Sequence, residues 1–400
     1  MVRIALVWIA FAVATGVQAQ LCDSSTITQK TIRASQTDPK IAWELSGSQV
    51  LFHSSCPTRG KLLLYLVGSF DGTNQTFKFG TLAAQMGYHV IILKYENSVA
   101  AQSACANSSN SSCYEDFRKE IIYGVESSTA VDVDSIHSVV NRVNRLLEYL
   151  NQNFANEQWD QFLVGQEVDW TKVTVAGHSQ GGGHAAYIAQ EELVDRAIFF
   201  AGPNDYSSYF SGPASWLSKS FQTPGTSLFG FNNLQDDVVD FADQMQVWQS
   251  IPFSKKDTVI IDGKLNPFGF GQALYTNYHA NGSGSENHSA VVRDPETPLD
   301  GNGKPVYLEV WKYLLGELNT TSKRAINQTS DARIFTTGAT LNFDPNGTSV
   351  DELQVISPSG QIVFQQAEVS DQLSLSNFSK GVYMILWKEA GITHARKLIH

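Results

Sequence analysis

Val173–Ala186 reads VTVAGHSQGGGHAA. A β-branched run, Lys172–Ala176, leads into this stretch, and a small-residue helical pattern from Gln180 to Glu192 leads out. Between them stands Gly177-x-Ser179-x-Gly181. A chain with 30 glycines in 400 residues shows the bare pattern by chance roughly one time in five, so the flanks carry the argument. A sharp strand–turn–helix lifts a serine hydroxyl above the edge of a sheet. Glycines two before and two after the serine permit the strained turn and a close approach of helix to strand. The Gln180 amide then opens a helix N-terminus, where an amide stabilises an oxyanion. No Lys-Ser/Thr pair follows the glycines, which excludes a Walker phosphate loop. Ser179 is therefore the candidate nucleophile.

Working outward, short β-rich runs alternate with helical periods. Lys61–Val67 (KLLLYLV) predicts a buried strand, Thr73–Met86 a helix and His89–Tyr95 (HVIILKY) the next strand. A helix is expected from about Asp134 to Phe154, then the strands Lys172–Ala176 and Ala197–Ala201 on either side of the Gln180 helix. Ser227–Phe231, a helix from about Val238 to Ser250, Asp257–Ile261 and a helix near Val306–Leu318 complete the run. Such alternation implies βαβ units and a mainly parallel sheet covered by helices on both faces, an α/β fold. Ile27–Ser35, Ile41–Leu45 and Gln49–His53 fit as antiparallel strands at its leading edge. After about Ser322 the helical periods stop, and alternating strands separated by Pro358-Ser359-Gly360 and Ser379-Lys380-Gly381 take over. The expected organisation is an α/β catalytic domain over residues 20–318, a polar linker over 319–330 and a small all-β sandwich over 331–400.

The elbow at Ser179, the order of strands and the residues that follow the serine resemble the α/β-hydrolase superfamily over roughly Ser48–Leu318. The resemblance implies the triad order serine, acid, histidine, so both partners lie C-terminal to Ser179. Of the histidines beyond it, His184 sits on the serine's own helix, while His394 and His400 belong to the β domain. His279 and His288 remain, both in the loop after the Asp257–Ile261 strand. Glu286-Asn287-His288-Ser289, ahead of the last helix, resembles the family's histidine loop and selects His288, with His279 the alternative. For the acid, an Asp three residues before a valine selects Asp236 with Val239 packing below it. Asp237 and Asp205 are the alternatives. The second oxyanion donor is expected from Gly68-Ser69-Phe70, through the Ser69 amide, with Phe70 next. Val67 stands where the family often has a histidine.

The first twenty residues carry a short positive start at Arg3, an apolar run Ile4–Ala14 and small residues at Val17 and Ala19. They predict a secretory signal peptide over residues 1–19, and that run is too short for a transmembrane anchor. The formal net charge is −11, one unit more negative without Arg3. An acidic chain with no basic stretch does not neutralise a phosphate backbone, so nucleic acid is excluded as a partner. Cys22, Cys56, Cys105 and Cys113 allow three connectivities. Cys105–Cys113 closing the loop ANSSNSS and Cys22–Cys56 pinning the N-terminus is the favoured pairing. No Cys-x-x-Cys pair suggests zinc, and nothing in the sequence calls for a metal or cofactor. Nine Asn-x-Ser/Thr sequons, at Asn74, Asn107, Asn110, Asn281, Asn287, Asn319, Asn327, Asn346 and Asn377, suggest a secreted glycoprotein.

The expected activity is hydrolysis of an ester, in a small molecule or polymer, through an acyl-enzyme on Ser179. A peptidase and a non-catalytic binding or adhesion protein of the same fold are the alternatives. Tyr206–Thr226 is rich in aromatic residues, glycine and proline, and Tyr209, Phe210 and Trp216 are candidate walls of the substrate pocket. The final segment, with Val355-Ile356-Ser357-Pro358-Ser359-Gly360, Leu373–Asn377, Gly381-Val382-Tyr383 and a terminal Lys397-Leu398-Ile399, resembles the C-terminal sorting domain of type IX secretion. That resemblance implies an export role and an extracellular destination, although the usual Pro-Asn-Pro opening is missing.

Overall fold

The computed structural model describes residues 21–41, 46–264, 266, 268–280 and 285–317. In the C-terminal part it describes 334–337, 340–343, 350–356, 362–367, 372–379, 382–389 and 392–399. The expected leader, the linker and most of the expected strand Ile41–Leu45 lie outside these residues.

Nine strands form the main sheet: β1 (Ile27–Ile32), β2 (Ser48–His53), β3 (Leu62–Leu66), β4 (His89–Leu93), β5 (Val173–His178), β6 (Arg196–Phe200), β7 (Leu228–Asn233), β8 (Thr258–Ile260) and β9 (Ala273–Thr276). Their spatial order is β1-β2-β4-β3-β5-β6-β7-β9-β8. Only β2 runs against the rest, pairing antiparallel with β1 and with β4. Every other contact is parallel, with Leu62–Leu66 in register with His89–Leu93 on one side and Val173–Gly177 on the other. All five residues of β3 and of β4 are buried. Continuous apolar runs of this kind are what a sheet covered on both faces demands.

The helices begin where their caps dictate. Helix α1 (Phe77–Gln85) starts later than the apolar pattern suggests, because the Asp294 carboxylate accepts from the Phe77 and Lys78 amides at 2.9 and 3.1 Å. Helix α2 (Cys113–Tyr123) was not expected, although Tyr114, Phe117, Ile121 and Ile122 lie at helical spacing and are buried. Its C-cap, Gly124, has φ +69°, which glycine adopts without a Cβ penalty. Ser138 caps α3 (Val139–Asn153), so that helix begins five residues after the expected Asp134. Helix α4 (Gln180–Glu191) follows the elbow. Helix α5 (Phe241–Ser250) is capped by Asp240, which accepts from the Ala242 and Asp243 amides, and Val238 and Val239 stay outside it. Helix α6 (Leu308–Leu314) closes the domain. The two disulfides pair as expected, Cys22 with Cys56 and Cys105 with Cys113, at Cα separations of 5.7 and 5.5 Å.

One strand was missed, and it changes the path to the candidate histidines. The loop that carries them does not follow the Asp257–Ile261 strand. Ala273–Thr276 forms β9, inserted between β7 and β8, and the chain leaves the sheet from there. Four residues flanked by Gln272 and Asn277 give too short a period to announce a strand. Burial between two parallel neighbours creates it.

In the C-terminal part, β10 (Ile334–Thr337), β11 (Thr340–Phe343) and β14 (Gln372–Ser374) form a three-stranded sheet, in the order β10-β11-β14. A four-stranded sheet is made by β12 (Val350–Ile356), β13 (Ile362–Ala367), β15 (Val382–Glu389) and β16 (Ile392–Ile399), in the order β13-β12-β15-β16. All pairings are antiparallel. Leu341 of the first sheet shares one apolar cluster with Leu353, Val355, Ile385 and Trp387 of the second.

Candidate active site

The strand order places the site. The chain moves from β3 outward to β4, returns to β5 beside β3, and then continues the other way. Parallel α/β sheets bind ligands at such a reversal, beyond the carboxyl ends of the strands. Gly68 follows β3, Ser179 follows β5, Asn204 follows β6, Asp236 follows β7 and His288 follows β9. All but Asp236 line one open cavity of about 340 Å³.

Ser179 occupies the turn between β5 and α4 with φ +54° and ψ −117°. This is a costly conformation for a residue with a Cβ, worth about 1–3 kcal/mol of strain. Its amide donates to the Phe200 carbonyl at 2.8 Å, which fixes the turn to β6. The flanking glycines are required by contact. A Cβ on Gly181 would run into the Leu66 and Val67 carbonyls, and one on Gly177 into the Gly181 backbone.

His288 sits in a short helical turn, Glu286–Ser289. Its Nδ1 faces Asp236 Oδ2 at 2.7 Å, and its Nε2 is buried without a partner among the described residues. Asp236 also accepts from the Val238 and Val239 amides, each at 2.9 Å. Burial alone pushes the Asp236 carboxyl up. The His288 imidazole and the two amides outweigh that effect and hold it below the usual carboxylate range. Asn233, at the end of β7, ties the histidine turn to the acid's strand by donating to the Tyr278 and Asn287 carbonyls at 2.9 and 3.1 Å. Asp237 makes only long contacts, with the His288 amide at 3.4 Å and the Asn287 amide at 3.5 Å. His279 is exposed in the loop after β9. The Asn287 sequon is interior, since its Oδ1 accepts from the Ala280 amide at 2.7 Å and the residue is buried. A glycan there is incompatible with this fold.

Gln180 and Ser69, the two expected oxyanion residues, face each other across the cavity floor. The Ser69 hydroxyl donates to Gln180 Oε1 at 2.9 Å, and the Ala101 amide donates to the same oxygen at 2.8 Å. The Phe70 amide donates to the Asn97 carbonyl at 2.8 Å, so its donor is already engaged.

Three expected pocket walls stand elsewhere. Trp216 is fully buried against Tyr187, and its Nε1 donates to Asp205 at 2.9 Å. Tyr209 and Phe210 are exposed and pack edge-on against each other, outside the cavity lining. The Gly/Pro-rich segment folds back on the core because the indole has a buried acceptor to reach.

That acceptor belongs to a buried ion pair which the sequence did not announce. Arg118 of α2 donates from Nε to Asp205 Oδ2 at 2.7 Å and pairs through Nη2 with Oδ1, both residues being 1 % exposed. Its Nη1 also donates to the Gln180 carbonyl at 3.2 Å and lies 3.3 Å from His184 Nδ1. Burial and the adjacent guanidinium push His184 well below its usual value, so it accepts from Arg118 as a neutral ring. Asp205, the third candidate acid, is thus committed to Arg118. Asp205→Ala leaves a buried guanidinium unpaired and is expected to destabilise the protein by about 3–5 kcal/mol. Asp205→Leu combined with Arg118→Met should recover much of that loss. Urea midpoints of the single and double variants check both expectations.

A second pair backs the histidine. His178 Nδ1 lies 3.6 Å from Asp71 Oδ2, its Nε2 lies 3.3 Å from the His288 carbonyl, and the two imidazole centroids are 4.9 Å apart. Arg293 Nε lies 3.4 Å from the other Asp71 oxygen. Burial holds His178 below its usual value despite the Asp71 carboxylate, so the ring is neutral near pH 7, with the His288 carbonyl the one acceptor within hydrogen-bond distance of it. The proximity of Asp71 and Arg293 depends on a contact between the loop after β3 and the segment after His288, which no local spacing encodes.

Residues 336–400 match the family model of the secretion system C-terminal sorting domain. No curated protein matches the chain. No helix among the described residues is long and apolar enough to cross a membrane. The sorting domain marks the protein as secreted or exposed at the cell surface, exported by that secretion system.

Proposed function

We propose that the protein is an exported serine ester hydrolase of the α/β-hydrolase type. The observation that carries this reading is Ser179 in its strained turn, sharing a cavity with His288, whose Nδ1 is joined to Asp236 and whose Nε2 has no partner. In this mechanism His288 Nε2 takes the Ser179 proton as Oγ attacks an acyl carbonyl, and Asp236 holds the tautomer that leaves Nε2 free. The Ser69 and Gln180 amides hold the oxyanion. Collapse expels the alcohol, which His288 protonates, and water then releases the acyl group by the same steps. A purely binding protein would gain stability by relaxing residue 179 to glycine, so retained strain favours catalysis over adhesion. Labelling with a fluorophosphonate probe tests the reading. The wild type is expected to label and Ser179→Ala is not, and absence of Ser179-dependent labelling in a folded protein rejects it.

A further inference from the structure

Asn204 is a polar side chain of the cavity that the mechanism does not use. Asn204, after β6, is 9 % exposed and lines the cavity beside Ser179. Its Oδ1 is buried without a partner, and its amide nitrogen makes no hydrogen bond to any described residue. The buried, unpartnered Oδ1 costs about 1–3 kcal/mol. The Asn204 Nδ2 is the polar atom left accessible, and it offers the cavity a donor that suits a hydroxyl oxygen.

The carboxylates and guanidinium groups lining the cavity are matched, Arg118 with Asp205 and Arg293 with Asp71. Among the described residues no spare charge remains there to select an anionic or cationic substrate. The rim is apolar. Phe70 is 74 % exposed at φ +65°, and Val238 is 52 % exposed. Strand order puts Phe70 at the β3 side of the mouth and Val238 at the β7 side, with Ser179 and Asn204 between them. A ring exposed at the mouth is unfavourable for the free protein, and contact with a ligand would cover it.

Resting on the hydrolase reading above, we infer that the substrate is a neutral O-acylated sugar. A pyranose ring has an apolar C–H face, which suits the Phe70 ring, and a hydroxyl edge, which suits the Asn204 amide. Hydrolysis breaks the bond between the acyl carbon and the sugar oxygen. That oxygen takes its proton from His288, and the hydroxyl of water ends on the acyl carbon. A shallow site of about 340 Å³ accommodates a short acyl group and the ring that bears it.

The test compares kcat/KM for methyl 6-O-acetylglucoside, cyclohexylmethyl acetate and ethyl acetate on the full chain. The wild type is expected to prefer the sugar ester over the cyclohexyl ester at least about tenfold, because a site built to bond hydroxyls discriminates against their absence. Asn204→Ala is expected to erase most of that preference while leaving thermal stability unchanged or raised, since it deletes an unpartnered amide. Phe70→Ala is expected to raise KM for both ring esters about tenfold relative to ethyl acetate. Equal or better turnover of the cyclohexyl ester, or an unchanged preference in Asn204→Ala, overturns the inference. Fluorophosphonate labelling of Ser179 without hydrolysis of the sugar ester overturns it and leaves the hydrolase reading standing. Failure to label sinks the hydrolase reading itself.

Discussion

Ser179→Ala is expected to lower kcat/KM on a short-chain p-nitrophenyl ester by about 10⁴–10⁶, leaving only what binding and the oxyanion amides supply. The fold should be unaffected. Alanine keeps the Cβ, fills the same turn at φ +54° and ψ −117°, and loses only a hydroxyl that bonds to no described residue. Ser179→Gly supplies the complementary measurement. Removing the Cβ relaxes the turn, so this variant should be about 1–2 kcal/mol more stable than Ser179→Ala and equally inactive. Steady-state kinetics and paired urea melts check both halves. A glycine variant no more stable than the alanine variant would mean that the turn stores no strain.

Asp236→Asn is the second large effect, a loss of about 10⁴ in kcat/KM with little change in geometry. The carboxylate accepts the Nδ1 proton at 2.7 Å and so keeps the Nε2 lone pair available. An amide that turns its NH₂ toward Nδ1 forces the proton onto Nε2 and removes the base. The same substitution has a pH signature in stability. Because the folded-state pKa of Asp236 is held below its unfolded value, its contribution is complete above the unfolded carboxylate value near pH 4 and is lost as pH falls through the folded value. The stability gap between wild type and Asp236→Asn should therefore be widest near neutral pH and close on acidification. A gap that widens with acid would contradict the account of a carboxylate held by His288 and two backbone amides.

Much of this architecture is legible locally. The apolar runs at Leu62–Leu66 and His89–Leu93 declare buried parallel strands, and of three possible cysteine pairings the favoured one is the one that forms. The Ser179 turn is legible from its flanking glycines, whereas Asp236 and His288 rest on resemblance, which places the histidine after the wrong strand. The errors share a cause. Tyr209, Phe210 and Trp216 read as pocket walls because aromatic residues in a Gly/Pro-rich insert suit a pocket, yet Trp216 is drawn inward by a buried carboxylate 11 positions away. The four residues of β9 are a strand only because β7 and β8 flank them. Helix α2 carried a readable pattern in Tyr114, Phe117 and Ile121, masked by the Asn/Ser-rich loop before it.

The sequence by itself determines that a serine stands in a strand–turn–helix flanked by glycines, that carboxylates and histidines follow it in order, and that an export domain closes the chain. These are properties of neighbours along the chain, and local sterics and hydrophobic periodicity express them directly. Only the tertiary structure decides which partner each carboxylate meets. It commits Asp205 to Arg118 across 87 positions, joins Asp236 to His288 across 52, and leaves Asn204 unpartnered at the end of β6. Such choices depend on desolvation. Once the sheet excludes water, each buried charge must find a partner of matching geometry, and that partner is selected by the packing of helices on the sheet rather than by distance along the chain.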